Sequence, residues 1–160
     1  MKTMKDNIVL LHGVFNISFI KELKKRDVKE VYLLEGRPSL KAAKEFSKSL
    51  LENKIIPVLI ADNMAGFLFF RDLVKEVWIS YQEENKEGSI SPIGALILGV
   101  LAKQHGIPVY IFPSEEKLEK MGQENEIFEF NGVLVAPERI KGYVPLLESL
   151  PKKYITQVYN

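Results

Sequence analysis

The sequence predicts an α/β fold, Rossmann-like and doubly wound, with a mainly parallel sheet flanked by helices. Short continuous apolar runs read as strands covered on both faces: IVLLH (8–12), EVYLLE (30–35), IIPVLIA (55–61), EVWIS (76–80) and IPVYIFP (107–113). The stretches between them carry apolar residues at helical spacing, so strands and helices alternate. The clearest unit runs from Glu76 to Pro113 as strand, polar loop, helix and strand, a pattern that implies parallel pairing with a right-handed crossover. At 160 residues the chain reads as one domain, 1–160, long enough to bury a core.

The first run is followed by Asn16 or Ser18 as the cap of a helix that turns Ile20 and Leu23 inward and ends near Lys24–Asp27. Gly36-Arg37-Pro38 turns out of the second strand, and Pro38 opens a helix to about Asn53 with Leu40, Ala43, Phe46, Leu50 and Leu51 inward. Pro57 inside the third strand removes a ladder hydrogen bond and speaks against a central position. Asp62 or Asn63 then caps MAGFLFFRDLV (64–74), a helix apolar almost all round, which places it deep in the core or at a subunit interface. In the Glu76–Pro113 unit, YQEENKEGSIS (81–91) reads as a loop, Ser91 as an N-cap and Pro92 as the first helical residue. Ile93, Leu96, Ile97, Val100 and Leu101 form a stripe expected to face the core, with Ala95, Gly99 and Ala102 as an adjoining small face. Gly106 and Pro108 end that helix. Beyond Pro113 the expectations are a short helix over 114–121, a loop over 122–125, a small hairpin around Asn131-Gly132, and a helix over 142–150.

Composition narrows the function classes. Lys and Arg number 22 against 21 Asp and Glu, a net charge of +1, so there is no bulk electrostatic drive toward nucleic acid or membrane. There is no Cys, which removes disulfides, thiolate metal sites and a cysteine nucleophile. Two His without an acidic or thiol cluster argue against a transition metal, and no cofactor is implied. No run has the length of a membrane span and the start lacks a signal-peptide core, so the expected location is the cytoplasm.

In a sheet of this kind ligands bind beyond the carboxyl ends of the strands. His12-Gly13, Glu35-Gly36-Arg37, Asp62-Asn63 and the segment from Gln82 to Ser91 fall there. Arg37 beside a helix start is suited to clamp a phosphate, or else to pair with Glu35 or Asp62. Gly88, Ser89 and Ser91 before a helix can cradle an anion, or Ser91 simply caps. His12 at the end of an apolar strand is a catalyst or a core histidine. Residues alone thus lead to an α/β domain with an anion site.

Several motifs go further in combination. Glu35-Gly36-Arg37-Pro38 before a helix, LIADNMAG (59–66), SISPIGALILGVLAKQHGIPVYIFPS (89–114) and a terminal P-x-x-Y-I segment follow one another in order. This series resembles the superfamily of methylthioribose-1-phosphate isomerases, ribose-1,5-bisphosphate isomerases and the alpha, beta and delta subunits of translation initiation factor 2B. The resemblance covers that superfamily's carboxyl-terminal α/β domain; its amino-terminal helical domain has no counterpart in the sequence. It implies ligand-binding positions at Glu35, Arg37, Lys41, Asp62, Gln82, Ser89, Ser91 and Gly94. The isomerase pattern places its catalytic Cys on Gly13 and its catalytic Asp on Gln82. Its substrate Gln falls on Lys41, and its Asn-Lys pair is shortened to Pro92. Aldose–ketose isomerisation needs an acid and a base, and neither Gly13 nor Gln82 titrates.

The leading expectation is therefore a non-catalytic relative of the initiation factor 2B domains. It binds a phosphorylated metabolite or nucleotide, or acts as a homodimeric or higher homo-oligomeric regulatory module. The alternative is a sugar-phosphate aldose–ketose isomerase with replaced catalytic groups, His12 or Glu84 among them.

Overall fold

The computed structural model describes residues 8–137 and 139–160. Its centre is a six-stranded, all-parallel sheet built from β1 (Val9–His12), β2 (Glu30–Leu34), β3 (Ile56–Ile60), β4 (Glu76–Tyr81), β7 (Val109–Pro113) and β11 (Gln157–Val158). The strand order β11-β7-β4-β1-β2-β3 reverses direction at β1. α1 (Ser18–Lys25) and α2 (Ser47–Glu52) cover one face, while α3 (Ala65–Phe70) and α4 (Ala95–His105) cover the other. This is the doubly wound arrangement, with its switch point between β1 and β4.

The strand faces explain the continuous apolar runs. Leu10, Val77, Ile79 and Ile111 pack under α3 and α4. Val9, Leu11, Leu33, Trp78 and Phe112 point to the opposite face, where Phe15, Phe19 and Phe46 complete an aromatic cluster. Both clusters are built from apolar and aromatic side chains, so positions along the central strands β1 and β4 alternate between two buried layers rather than between core and water, whereas Ile56 and Leu59 on the outer strand β3 are exposed. Pro57 sits on β3, the outer strand, where its missing N–H faces no neighbour.

Several expected elements differ. The helix after Gly36 starts later than Pro38, because Leu40 takes a left-handed φ of 59° and the chain winds as a π-helical stretch over Ala42–Phe46 before α2. Leu51, expected inward, is exposed. Neither Asp62 nor Asn63 caps α3; a 3-10 turn over Asp62–Met64 leads into it, and Asp62 is engaged elsewhere. The expected loop 81–91 is an antiparallel hairpin, β5 (Glu83–Asn85) and β6 (Gly88–Pro92). The Asn85 carboxamide oxygen accepts the N–H groups of Glu87 and Gly88 and so closes that turn. Ser91 and Pro92 therefore lie in a strand, and α4 begins at Ala95 after Gly94, whose φ is +102°.

α4 also buries the other face. Ala95, Leu98, Gly99 and Ala102 are buried, whereas Leu96, Val100 and Ile97, the last 62% exposed, lie outside. The small face goes inward because β10 (Leu147–Pro151) and the turn after it press on the helix. A Cβ on Gly99 would stand 2.9 Å from Leu150 Cδ1 and Tyr154 Cβ. The 114–121 segment is not helical, and the expected helix over 142–150 is replaced by β10, which pairs antiparallel with β6. Asn131-Gly132 does turn a hairpin, β8 (Glu129–Phe130) with β9 (Val133–Leu134); positive φ at both turn residues gives it the twist of the strands. Among the described residues, no helix is long and apolar enough to cross a membrane.

Candidate functional site

The switch point opens into a small cleft of about 80 Å³, partly open to solvent, at the carboxyl ends of β1 and β2. Its floor is His12 and Gly13. Gly36, Arg37 and Lys41 form one wall, Pro92 and Ile93 another, and Glu116, Leu118 and Glu126 close the outer side.

His12 is buried, and its Nε2 lies 3.0 Å from the Ile93 carbonyl oxygen and 3.4 Å from that of Pro92. A carbonyl only accepts, so Nε2 carries the proton and Nδ1 holds a bare lone pair. Among the described residues, Nδ1 has no hydrogen-bond partner. Burial lowers the His12 pKa, against the opposing pull of the Asp62 charge, so the ring is neutral at pH 7. Beside it, Gly13 has a φ of +101°, and a Cβ there would stand 2.0 Å from Ser80 Oγ on the adjacent strand. Ser80 Oγ is likewise buried without a partner among the described residues. Gly13 is thus required by backbone conformation and by space.

The cationic wall is organised by Asp62. Its Oδ1 accepts the Gly36 N–H at 2.9 Å and its Oδ2 accepts the Arg37 N–H at 2.7 Å. Both carboxylate oxygens are thereby used to shape the turn. Glu35 stands next to it with a raised pKa, caused first by burial and then by the Asp62 charge. Arg37 pairs with neither acid. Its Nη1 donates to Glu129 O at 2.9 Å, and its guanidinium lies 4.9 Å from the Phe130 ring centre. Lys41 forms an ion pair with Glu116, which raises the Lys41 pKa.

Gln82 spans to the far wall. Its Nε2 donates to Leu118 O at 3.0 Å and its Oε1 accepts Leu118 N–H at 2.6 Å. Gly94 packs against the His12 ring and gives its N–H to Glu148 Oε1 at 2.7 Å; the Leu96 N–H donates to the same oxygen at 2.9 Å. The amino end of α4 therefore already holds an anion, the Glu148 carboxylate.

The structure brings His12, Glu35, Arg37, Lys41, Asp62, Gln82 and Gly94 to the cleft or its immediate supports. Ser89 and Ser91 lie outside it, buried in β6 with their hydroxyls 3.0 Å apart. Glu84 is exposed on β5, away from the cleft lining. Glu148, Ser80 and Leu118 were not foreseen. They sit far from their partners in the chain: the β1–β4 pairing brings in Ser80, the β10–β6 pairing Glu148, and the return of 114–118 Leu118. Among the described residues, no group of three or more His, Asp or Glu is placed to hold a metal ion.

Comparison with known proteins decides the family. The model of the initiation factor 2 subunit family matches residues 5–159. The chain belongs to the initiation factor 2 subunit family. Among its relatives, the methylthioribose-1-phosphate isomerase of Carboxydothermus hydrogenoformans is 32% identical over 143 residues, which is 82% of this chain and 42% of that enzyme. Among solved structures, the delta subunit of initiation factor eIF-2B from A. fulgidus aligns with a TM-score of 0.82 at 20% identity, over 97% of this chain and 52% of its own. The 5-methylthioribose 1-phosphate isomerase of Pyrococcus horikoshii OT3 gives 0.82 at 24% identity, over 96% and 49%. These two likenesses establish the shared fold. The chain spans about two fifths of the length of the curated family members it matches.

Proposed function

We propose that this family member binds a phosphorylated pentose in the cleft over His12 and Gly13, with Arg37 and Lys41 toward the phosphoryl group. The observation that carries this reading is the pair of cationic side chains on one wall of a cleft at the topological switch point. The isomerase names of its relatives support a sugar phosphate over other anions. Because Glu148 occupies the amino end of α4, the phosphoryl group belongs on the Arg37 wall and not on that helix.

The relatives also favour chemistry. In an aldose–ketose isomerase built on this cleft, His12 is the base. It lines the cleft and is neutral, and its unpartnered Nδ1, itself buried, is the nitrogen left to take a substrate proton once the cleft admits the sugar. A binding-only module is the second reading, and the Gln82–Leu118 pairing favours it, since that side chain is committed to the backbone and does not titrate.

Incubation of the purified chain with ribose 5-phosphate and 5-methylthioribose 1-phosphate, followed by NMR, separates the two. Aldose–ketose interconversion that disappears in His12→Asn establishes the enzyme. Binding without turnover, read as a thermal shift lost in Arg37→Ala, establishes the module. Absence of any shift with either sugar phosphate overturns both.

The same reading includes a cytoplasmic homodimer. Phe67 (57% exposed) and Phe70 (79% exposed) on α3, with Met64 in the turn before it, join Leu96, Ile97 and Val100 on the adjoining α4 as a broad apolar surface. Such a surface is of the kind that oligomer interfaces cover.

A further inference from the structure

From the contacts of Arg37 we infer that the 123–135 segment is a lid over the cleft, latched by the guanidinium that takes the phosphoryl group, so that ligand binding releases it. The inference rests on the proposed sugar-phosphate reading of the cleft and names how that site is regulated.

The segment is weakly held. None of the described residues from 123 to 143 is buried. Its backbone hydrogen bonds, Phe128 N–H to Asn125 O and Val135 N–H to Phe128 O, are internal, as is the Gln123–Glu126 capping pair. Among the described residues, only Arg37 ties it by side-chain hydrogen bonds to the main sheet and its helices. Nη1 donates to Glu129 O at 2.9 Å, Nη2 reaches toward Ile127 O at 3.5 Å, and the charge stacks over Phe130. A segment with few buried contacts and one anchor opens at a low free-energy cost.

The anchor uses a full cation on neutral acceptors. A phosphoryl dianion offers charge-assisted, bidentate hydrogen bonds to the same fork, which are about twice as strong as bonds to neutral carbonyls. The closed lid also places Glu126, an acid, against the cleft beside Arg37. An entering phosphate therefore competes for Arg37 and is repelled by Glu126, and both effects favour the open lid. By linkage, a change that loosens the lid while leaving the Arg37 guanidinium in place should tighten phosphate binding.

The test is amide hydrogen exchange on the full chain, with ribose 5-phosphate and inorganic phosphate as probes. The expected result is that either probe accelerates exchange over 126–135 while the segment around Gly36–Ala42 is protected. Arg37→Ala without ligand should accelerate the same 126–135 amides about tenfold, the loss expected for a charged hydrogen bond, and should abolish the response to the probes. Phe130→Ala, which keeps the cation, should bind ribose 5-phosphate about threefold more tightly, the loss of one exposed cation–π contact. Unchanged exchange over 126–135 in Arg37→Ala overturns the latch, whatever the ligand. Binding that slows exchange over 126–135 overturns the competition. If neither probe binds, the sugar-phosphate reading and its linkage to the lid both fail, while the Arg37→Ala comparison still decides whether the latch exists.

Discussion

Gln82 pairs with Leu118 as one strand pairs with another, its carboxamide taking both the N–H and the C=O of that residue. A carboxamide presents a donor and an acceptor side by side, matching the N–H and C=O of a backbone residue. A carboxylate at this position can accept from Leu118 N–H but meets the Leu118 oxygen as a second acceptor.

Gln82→Asp, which restores the isomerase pattern, should therefore cost roughly 1–3 kcal/mol, the cost of a broken hydrogen-bond pair with an unsatisfied group. Urea denaturation measures the loss. Limited proteolysis should show new cleavage over 115–120, because the segment loses its tether to β4.

Gly13 offers the same lesson by a different route. Gly13→Cys and Gly13→Ala should each destabilise the fold by roughly 2–4 kcal/mol, from a strained positive φ and a Cβ placed on Ser80 Oγ. Gly13→Ala combined with Ser80→Gly should recover the steric part alone. Thermal unfolding of the single and double variants separates the two contributions.

Glu148 is expected to hold the start of α4. Glu148→Ala leaves the Gly94 and Leu96 N–H groups without their acceptor and should cost about 1–2 kcal/mol. Added sulfate should restore part of that loss in the variant and little in the parent, since the vacated helix end favours an anion. Equal responses of the two proteins to sulfate would remove the anion role from Glu148.

The pH dependence follows from His12. Its folded-state pKa lies below the ordinary 6.5, so in the window below 6.5 the unfolded chain binds more protons than the folded one. Stability from this group is complete above pH 6.5 and is lost as the pH falls toward the lowered folded value. Glu35 acts in the opposite sense: its raised pKa gives stability at acid pH that is lost as the pH rises from its ordinary 4.5 through the raised value. His12→Asn should flatten the profile just below pH 6.5, read from denaturant midpoints, and leave the Glu35 limb.

On the outer surface, Phe70→Lys should convert the expected homodimer to a monomer in light scattering, with unchanged thermal stability at limiting dilution. A parent protein that is already monomeric would leave the α3–α4 face without this partner.

The sheet was legible because its central strands are buried on both faces, which leaves uninterrupted apolar runs that few other structures require; the outer strand β3 keeps such a run although Ile56 and Leu59 are exposed. The orientation of α4 was not legible, because that helix offers two apolar faces. Ile93, Leu96, Ile97 and Val100 make the larger one, yet the inward choice is set by the approach of Leu150 and Tyr154 to Gly99, some 50 residues away. The same distance hid the hairpin 83–92: EENKEGSIS looks like a solvated loop until β10 arrives to pair with it. The site divided along the same line. His12, Arg37 and Asp62 stand at strand ends, where topology alone puts them, whereas Ser89 and Ser91 were judged by their place before a helix that begins later than expected.

The return of the chain after the β8–β9 hairpin has one more consequence. Gly122 N–H bonds to Val144 O, Leu146 N–H bonds to Lys120 O, and Met121 bridges Pro145, so the two ends of the intervening stretch are clasped at a narrow neck. Everything beyond that neck is an appendix to the sheet, and its removal leaves two ends already side by side. Replacing residues 124–142 by a short glycine-containing turn should cost little closure entropy and leave a shorter chain that folds with its cleft permanently uncovered.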